Sequence, residues 1–170
     1  MARREFRTKP EMRQSPMREF SRSLPMSLLR AREAVMRQFR PSLRDHGLTE
    51  QQWRILRALA SVKTIEVKEL AEVAFLLGPS LSRILRDLEA RALIRRRVVK
   101  ADQRRSLLSI SKAGLELIET VAPSSEAIYA AINKRYGTRK LAALQQMLQA
   151  LEITLSDLPE RKAGRPGSGE

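Results

Sequence analysis

The chain has no cysteine among its 170 residues. A disulfide framework and a thiolate metal site are therefore excluded. A single histidine, His46, rules out the H-E-x-x-H metalloprotease arrangement. The seven glycines form no phosphate-cradling loop. The stretch Gly78-Pro79-Ser80-Leu81-Ser82 only half matches a G-x-S-x-G nucleophile elbow. It lacks the second glycine and follows a helical pattern rather than a strand. No enzyme is expected, and with it no catalytic residue, metal or cofactor. No apolar run approaches the ~18–20 residues that span a bilayer, so no membrane partner is expected. A cytoplasmic location fits this composition.

Positive charge is what the chain has in plenty. Thirty-three Lys and Arg against 19 Asp and Glu give a net charge of +14. Such a balance points to a polyanion, most often nucleic acid. The charge is also concentrated. Between Arg83 and Arg105 nine basic residues face three acidic ones, a local net of +6. A charge run alone is usually a solvated face. Here it coincides with a local pattern that gives it a purpose.

That pattern runs from Val62 to Lys112. Leu81, Ile84, Leu85, Leu88 and Ala92 recur at helical spacing and define an amphipathic helix, expected over about Pro79–Arg91. Its opposite face carries Ser80, Ser82, Arg83 and Arg86. Upstream lies a short helix, Val67–Ala74, and a turn at Leu77-Gly78-Pro79. Downstream, Val98–Val99 and Leu107–Ile110 are short β-prone runs flanking a basic turn, Lys100–Arg105. Helix, turn, helix and basic hairpin make a winged helix-turn-helix, which lays its second helix in the DNA major groove. Serines suit phosphates or base edges, and arginine can bind guanine bidentately. Pro79 and Ser80 place helix N-terminal N–H groups near a phosphate. Arg97, Arg104 and Arg105 supply charge on the hairpin.

The fold class predicted is mainly α with a small β-hairpin: a winged helix-turn-helix plus a helical dimerisation region. Residues 1–23 read as a disordered basic arm. Its arginines resemble those of a transit peptide, but Glu5, Glu11 and Glu19 count against that; an arm touching DNA is the other reading. Residues 24–47 form the first helix of the dimerisation region, in which Pro41 should kink the helix or end its regular part. Gly47 suits the C′ position. Residues 48–112 form the DNA-binding domain, opened by a capping box at Thr49 and Gln52. Ser61–Glu66 is a loop or short strand. Residues 113–157 form C-terminal helices. The first, capped by Ser111, runs to Tyr136, and Pro123-Ser124-Ser125 should bend or break it. Thr138 should cap the second. There Leu141, Leu144, Leu148, Leu151 and Leu155 make a heptad seam too short to stand free. Two copies burying these helices would form a C₂ homodimer. Residues 158–170 read as a disordered tail.

These residues resemble the MarR family of bacterial regulators over about Leu24–Ser156. The resemblance rests on LTEQQWRILRALA (Leu48–Ala60), VKELAEVA (Val67–Ala74), PSLSRILRDLEARALI (Pro79–Ile94) and DQRRSLLSISKAG (Asp102–Gly114). Within the family, the branch that represses homoprotocatechuate (hydroxyphenylacetate) degradation and other aromatic-acid catabolism is most similar. One departure stands out: Ala92 replaces the usual glycine after the recognition helix, and alanine tolerates positive φ poorly.

The resemblance implies a homodimeric repressor, cytoplasmic and nucleoid-associated, on double-stranded DNA with a palindromic operator. A small aromatic carboxylate effector would release it. Asp102 would orient Arg104 into the minor groove, where an A/T-rich tract concentrates negative potential. The ligand would need a cation, an apolar slot and an aromatic wall. Met26, Ser27, Arg32, Met36, His46 and Trp53 are the candidates, with Arg32 the cation and Trp53 the wall. The plainer readings are that Trp53 is core and that His46 caps a helix end. The alternative function is a basic architectural protein that coats DNA without a ligand.

Overall fold

The structure, a computed structural model, describes residues 20–99 and 102–158. The expected arm as far as residue 19, the hairpin tip at 100–101 and the tail from 159 onward lie outside them. Nine regular elements follow along the described residues: α1 (Leu24–Asp45), α2 (Glu50–Ala60), β1 (Ile65–Glu66), α3 (Val67–Val73), α4 (Gly78–Ala90), β2 (Ile94–Val99), β3 (Asp102–Ile110), α5 (Lys112–Tyr136) and α6 (Thr138–Ser156). The mainly helical class with a small antiparallel sheet is the one the sequence predicts. The chain parts into two compact units at Pro41.

In the first unit, the end of the supposed arm is structured. Phe20–Arg22 form a single 3-10 turn, closed by the Ser23 N–H and hydroxyl on the Phe20 carbonyl at 3.3 and 3.0 Å. Along α1 the Glu33 carboxylate accepts from Arg32 at 2.9 Å and from Arg40 at 2.9 and 2.8 Å. Pro41 does not end the helix, which continues to Asp45.

The second unit starts with the last turn of α1. Gly47, at φ +65°, stops that helix in the left-handed conformation, and the Leu48 N–H reaches back to the Leu43 carbonyl at 2.8 Å. The capping box then opens α2: Gln52 N–H donates to Thr49 Oγ1 at 3.2 Å, and Thr49 N–H to Gln52 Oε1 at 2.8 Å. Ile55, Leu56 and Leu59 from α2, Leu70 from α3, and Leu81, Leu85 and Leu88 from α4 are fully buried. Leu108 of β3 and Val121 of α5 join them. Each such side chain contributes about 1.5–3 kcal/mol on burial. This core is complete within one chain.

The sheet has the order β1-β3-β2, all antiparallel, with Ile65 opposite Leu108 and Ile94 opposite Ile110. The hairpin strands are longer than expected. Asp102–Arg105 belong to β3 rather than to the turn, and the register slips between Val98 and Val99. Asp102 pairs with Val99, and the register then skips Gln103–Arg105 before Ser106 meets Val98, an irregularity that the residue preferences do not reveal.

The joint after α4 is tight. Ala92 takes φ +55°, so the left-handed cap forms despite the missing glycine. The Leu93 N–H closes it on the Leu88 carbonyl at 2.9 Å. Ser111 Oγ donates to the Ala92 carbonyl at 2.7 Å and accepts from Gly114 N–H at 3.0 Å. A Cβ on Gly114 would sit 2.3 Å from the Leu93 carbonyl oxygen, so only glycine lets α5 start flush against the wing.

Two helix expectations need correction. Pro123 does not break α5, which runs unbroken for 25 residues. Proline removes only the N–H that would reach the Glu119 carbonyl, and Ile118 and Val121 on the preceding turn are buried in the core. Thr138 is not the cap of α6. Gly137, at φ +97°, holds that place and its carbonyl accepts from Leu141 N–H at 2.9 Å; Thr138 is already helical. No residue of α6 is buried.

Candidate nucleic-acid interface

Helix α4 is sharply two-sided. Leu81, Leu85 and Leu88 anchor it in the core, while Pro79, Ser80, Ser82, Arg83 and Arg86 are exposed. It begins one residue earlier than expected. Leu77 is the N-cap and offers no side-chain hydrogen bond, so no cap side chain occupies the first-turn N–H groups. Arg86 Nε donates to the Ser82 carbonyl at 3.4 Å, which lays its guanidinium along the helix.

On the wing, side chains alternate across β2. Arg96 pairs with Glu89 of α4 at 3.1 Å. Arg95 and Arg97 belong to the other face of the strand, and both are exposed. Arg105 pairs with Glu66, the N-cap of α3, and so ties the wing to the start of that helix. Asp102 and Arg104 lie on β3, but their side chains fall outside the described part of the structure. A concavity of about 520 Å³ opens between α3, α4 and the wing, with Lys68, Gly78, Ser82 and Arg105 in its lining. Cations and hydroxyls thus share one recess beside the exposed face of α4.

The effector candidates divide between the two units. Met26, Ser27, Arg32 and Met36 lie on α1; Met26 and Met36 are half-buried, and Arg32 already engages Glu33. In the second unit His46 Nδ1 lies 2.7 Å from the Ser42 carbonyl and donates to it, the helix-end role that is the plainer reading. Ser42 itself joins Ser124 through their hydroxyls at 2.6 Å. Trp53 is half-buried rather than core, and the Arg57 guanidinium lies over its ring, 5.8 Å from the centroid. Arg57 escaped the sequence reading. The available signal was its spacing: four residues after Trp53, on the same helix face.

One polar chain connects α2 with α4. Gln52 Nε2 donates to Asp87 Oδ2 at 2.7 Å. Arg91 approaches the same carboxylate at 3.6 Å and donates to the Gly47 carbonyl at 3.0 Å. The exposed helix is therefore held at its C-terminal end by the turn that starts α2.

Fold and face together define a winged helix-turn-helix transcriptional regulator. A family model described as MarR family matches residues 46–105. The chain is 40% identical to the HTH-type transcriptional regulator FarR of Neisseria gonorrhoeae, over 76% of this chain and 88% of that one. It is 37% identical to the homoprotocatechuate degradative operon repressor of Escherichia coli, over 87% of this chain and 98% of that one. Among solved structures, NadR in complex with 4-hydroxyphenylacetate superposes with a TM-score of 0.69 at 38% identity, covering 81% of this chain and 97% of that one. The chain belongs to the MarR family. No helix among the described residues is long and apolar enough to cross a membrane.

Proposed function

We propose that the protein is a homodimeric repressor of aromatic-acid catabolism genes, which binds a palindromic operator and leaves it when a small aromatic carboxylate binds. One observation carries this reading. Helix α2 presents an aromatic wall with a cation, Trp53 and Arg57, and the same helix holds α4 through Gln52 and Asp87. A ligand that moves α2 has a direct route to the DNA-reading helix. The kinship with a homoprotocatechuate operon repressor, and with NadR bound to 4-hydroxyphenylacetate, supports the ligand class.

In this reading Pro79, Ser80, Ser82, Arg83 and Arg86 meet the major groove. Arg97, Asp102, Arg104 and Arg105 follow the neighbouring minor groove and backbone. Trp53 and Arg57 form the effector's wall and cation, with Met26, Ser27, Arg32, Met36 and His46 as further ligand candidates. The exposed apolar side chains of α6 supply the dimer seam. No catalytic step or cofactor enters, and the protein works in the bacterial cytoplasm, at the nucleoid.

The test is operator affinity by fluorescence anisotropy, with the duplex selected from a random library by the wild-type protein. Hydroxyphenylacetate, homoprotocatechuate and hydroxynicotinate are added in turn. Coupling of ordinary size would weaken binding about 5–150-fold at saturation. The ligand must prefer the released state, since equal affinity for both states shifts nothing. Arg57→Ala and Arg32→Ala, each still binding DNA, identify the carboxylate partner by which one abolishes the response. If no acid has an effect, and specific and nonspecific affinities are alike, the architectural reading replaces this one.

A further inference from the structure

The turn between α3 and α4 combines two unfavourable features at one spot. Phe75 takes φ +49°, a conformation that favours glycine and is an outlier for a bulky side chain. It occupies the C′ position of α3, with its N–H on the Glu72 carbonyl at 3.1 Å and the Leu76 N–H on the Ala71 carbonyl at 3.0 Å. Glycine would fit this cap without strain. The ring that replaces it is 79% exposed, so it gains nothing from burial. Leu77, 80% exposed, and Val73, 53% exposed, extend the patch. Backbone strain that folding does not need clusters at functional sites.

The position of the patch identifies its occupant. Leu77 is the N-cap of α4, the helix whose N-terminal residues meet base edges in this motif. Ser80, Ser82 and Arg83 stand within the next turn and a half and are exposed as well. The net positive charge of the molecule favours a polyanion there over an apolar protein surface. DNA also offers apolar partners at this depth, namely the C5-methyl of thymine in the major groove and the deoxyribose rings beside it.

We infer that Phe75 and Leu77 form an apolar reading tip, which packs on thymine methyl groups at the edge of each half-site and adds specificity that the serines and arginines of α4 do not supply. This deepens the operator-binding reading and rests on it.

The experiment uses the full-length protein and the selected duplex. Each thymine is replaced in turn by deoxyuridine, which deletes only the methyl. Wild-type protein should lose about fourfold in affinity at one or two thymines per half-site, the worth of one buried carbon group. Leu77→Ala and Phe75→Ala should bind more weakly to the intact duplex and lose sensitivity at those same thymines. Phe75→Gly should raise the thermal midpoint while lowering operator affinity. A merely structural residue would move both in the same direction. Unchanged deoxyuridine profiles in both alanine variants would overturn the inference. So would profiles that stay the same while sedimentation shows a changed oligomeric state, since the patch would then serve a second copy. Failure to recover any preferred duplex would instead strike the operator reading itself.

Discussion

Helices α4 and α6 carry similar leucine patterns and meet opposite fates. Leu81, Leu85 and Leu88 of α4 are fully buried by α2, α3 and the sheet. Leu148 and Leu155 of α6 are exposed, and Met147, Ile153 and Leu158 around them are more exposed still. The apolar period alone does not separate the two cases. The difference is what the rest of the chain supplies. Helix α4 is enclosed by α2, α3 and β2, whereas α6 packs on α5 with Leu141, Leu144 and Leu151 only half-buried and Leu148 and Leu155 exposed among the described residues. A helix of the first kind is finished by folding; one of the second kind is left with apolar surface that the proposed dimer would cover.

The sharpest way to break this contrast is to charge the uncovered seam. Leu148→Glu combined with Leu151→Glu should abolish high-affinity operator binding and give monomers by sedimentation, with the far-ultraviolet spectrum of the DNA-reading unit kept. A folded monomer that binds the full operator normally would refute it. Next in size is the covered seam. Leu85→Ala should cost about 2–5 kcal/mol of folding stability, read by urea denaturation, because the cavity it leaves is enclosed on all sides. The same truncation at Leu155 should leave the urea midpoint of the DNA-reading unit almost unmoved. On the outward face of α4, Arg83→Ala and Arg86→Ala should each relax preference at particular bases by about 1–3 kcal/mol. Arg104→Ala on the wing should weaken all sequences alike and flatten the salt dependence of binding. Competition assays against single-base operator variants separate the two patterns. The smallest effect lies at the end of α4. Ala92→Gly should relieve the left-handed strain and raise stability by up to about 1 kcal/mol, tempered by the freer unfolded chain. A lowered urea midpoint would show that the Ala92 methyl contributes packing that outweighs the strain.

Much of the architecture was legible because local chemistry and global fold agree. The Thr49–Gln52 box, Gly47 at the end of α1 and the leucine face of α4 each follow from rules that act over four residues. The misreadings lie where partners distant in sequence decide. Asp102–Arg105 looks like a turn, yet it belongs to β3, joined to β2 by the Val99–Asp102 pair and to the start of α3 by Arg105 on Glu66. Pro123 looks like a breaker, but it lies in a helix whose Ile118 and Val121 are anchored in the core. Thr138 is a better cap by residue type than Gly137, and the backbone conformation needed there favoured glycine. Of the candidate site, the α4 face could be read from periodicity. Arg57 could have been found by its i+4 spacing from Trp53, but spacing alone did not rank it above the other surface arginines as the Trp53 ring beneath it does. The Asp87 link to Gln52 spans 35 residues, a separation at which sequence spacing carries no signal.

The strand order β1-β3-β2 has a consequence for solubility. Among the described residues β1 and β2 are its two edges, and a sheet edge can recruit a strand from another molecule. One edge, β1, is only two residues long, too short to template a sheet. The other, β2, is six residues long and reads Ile-Arg-Arg-Arg-Val-Val. Its three consecutive arginines oppose like charge to any identical strand that approaches in parallel or antiparallel register. Charge on the wing thus also opposes growth of the sheet, and neutralising Arg95–Arg97 together should promote fibrous aggregation, read by thioflavin fluorescence, whatever its effect on DNA binding.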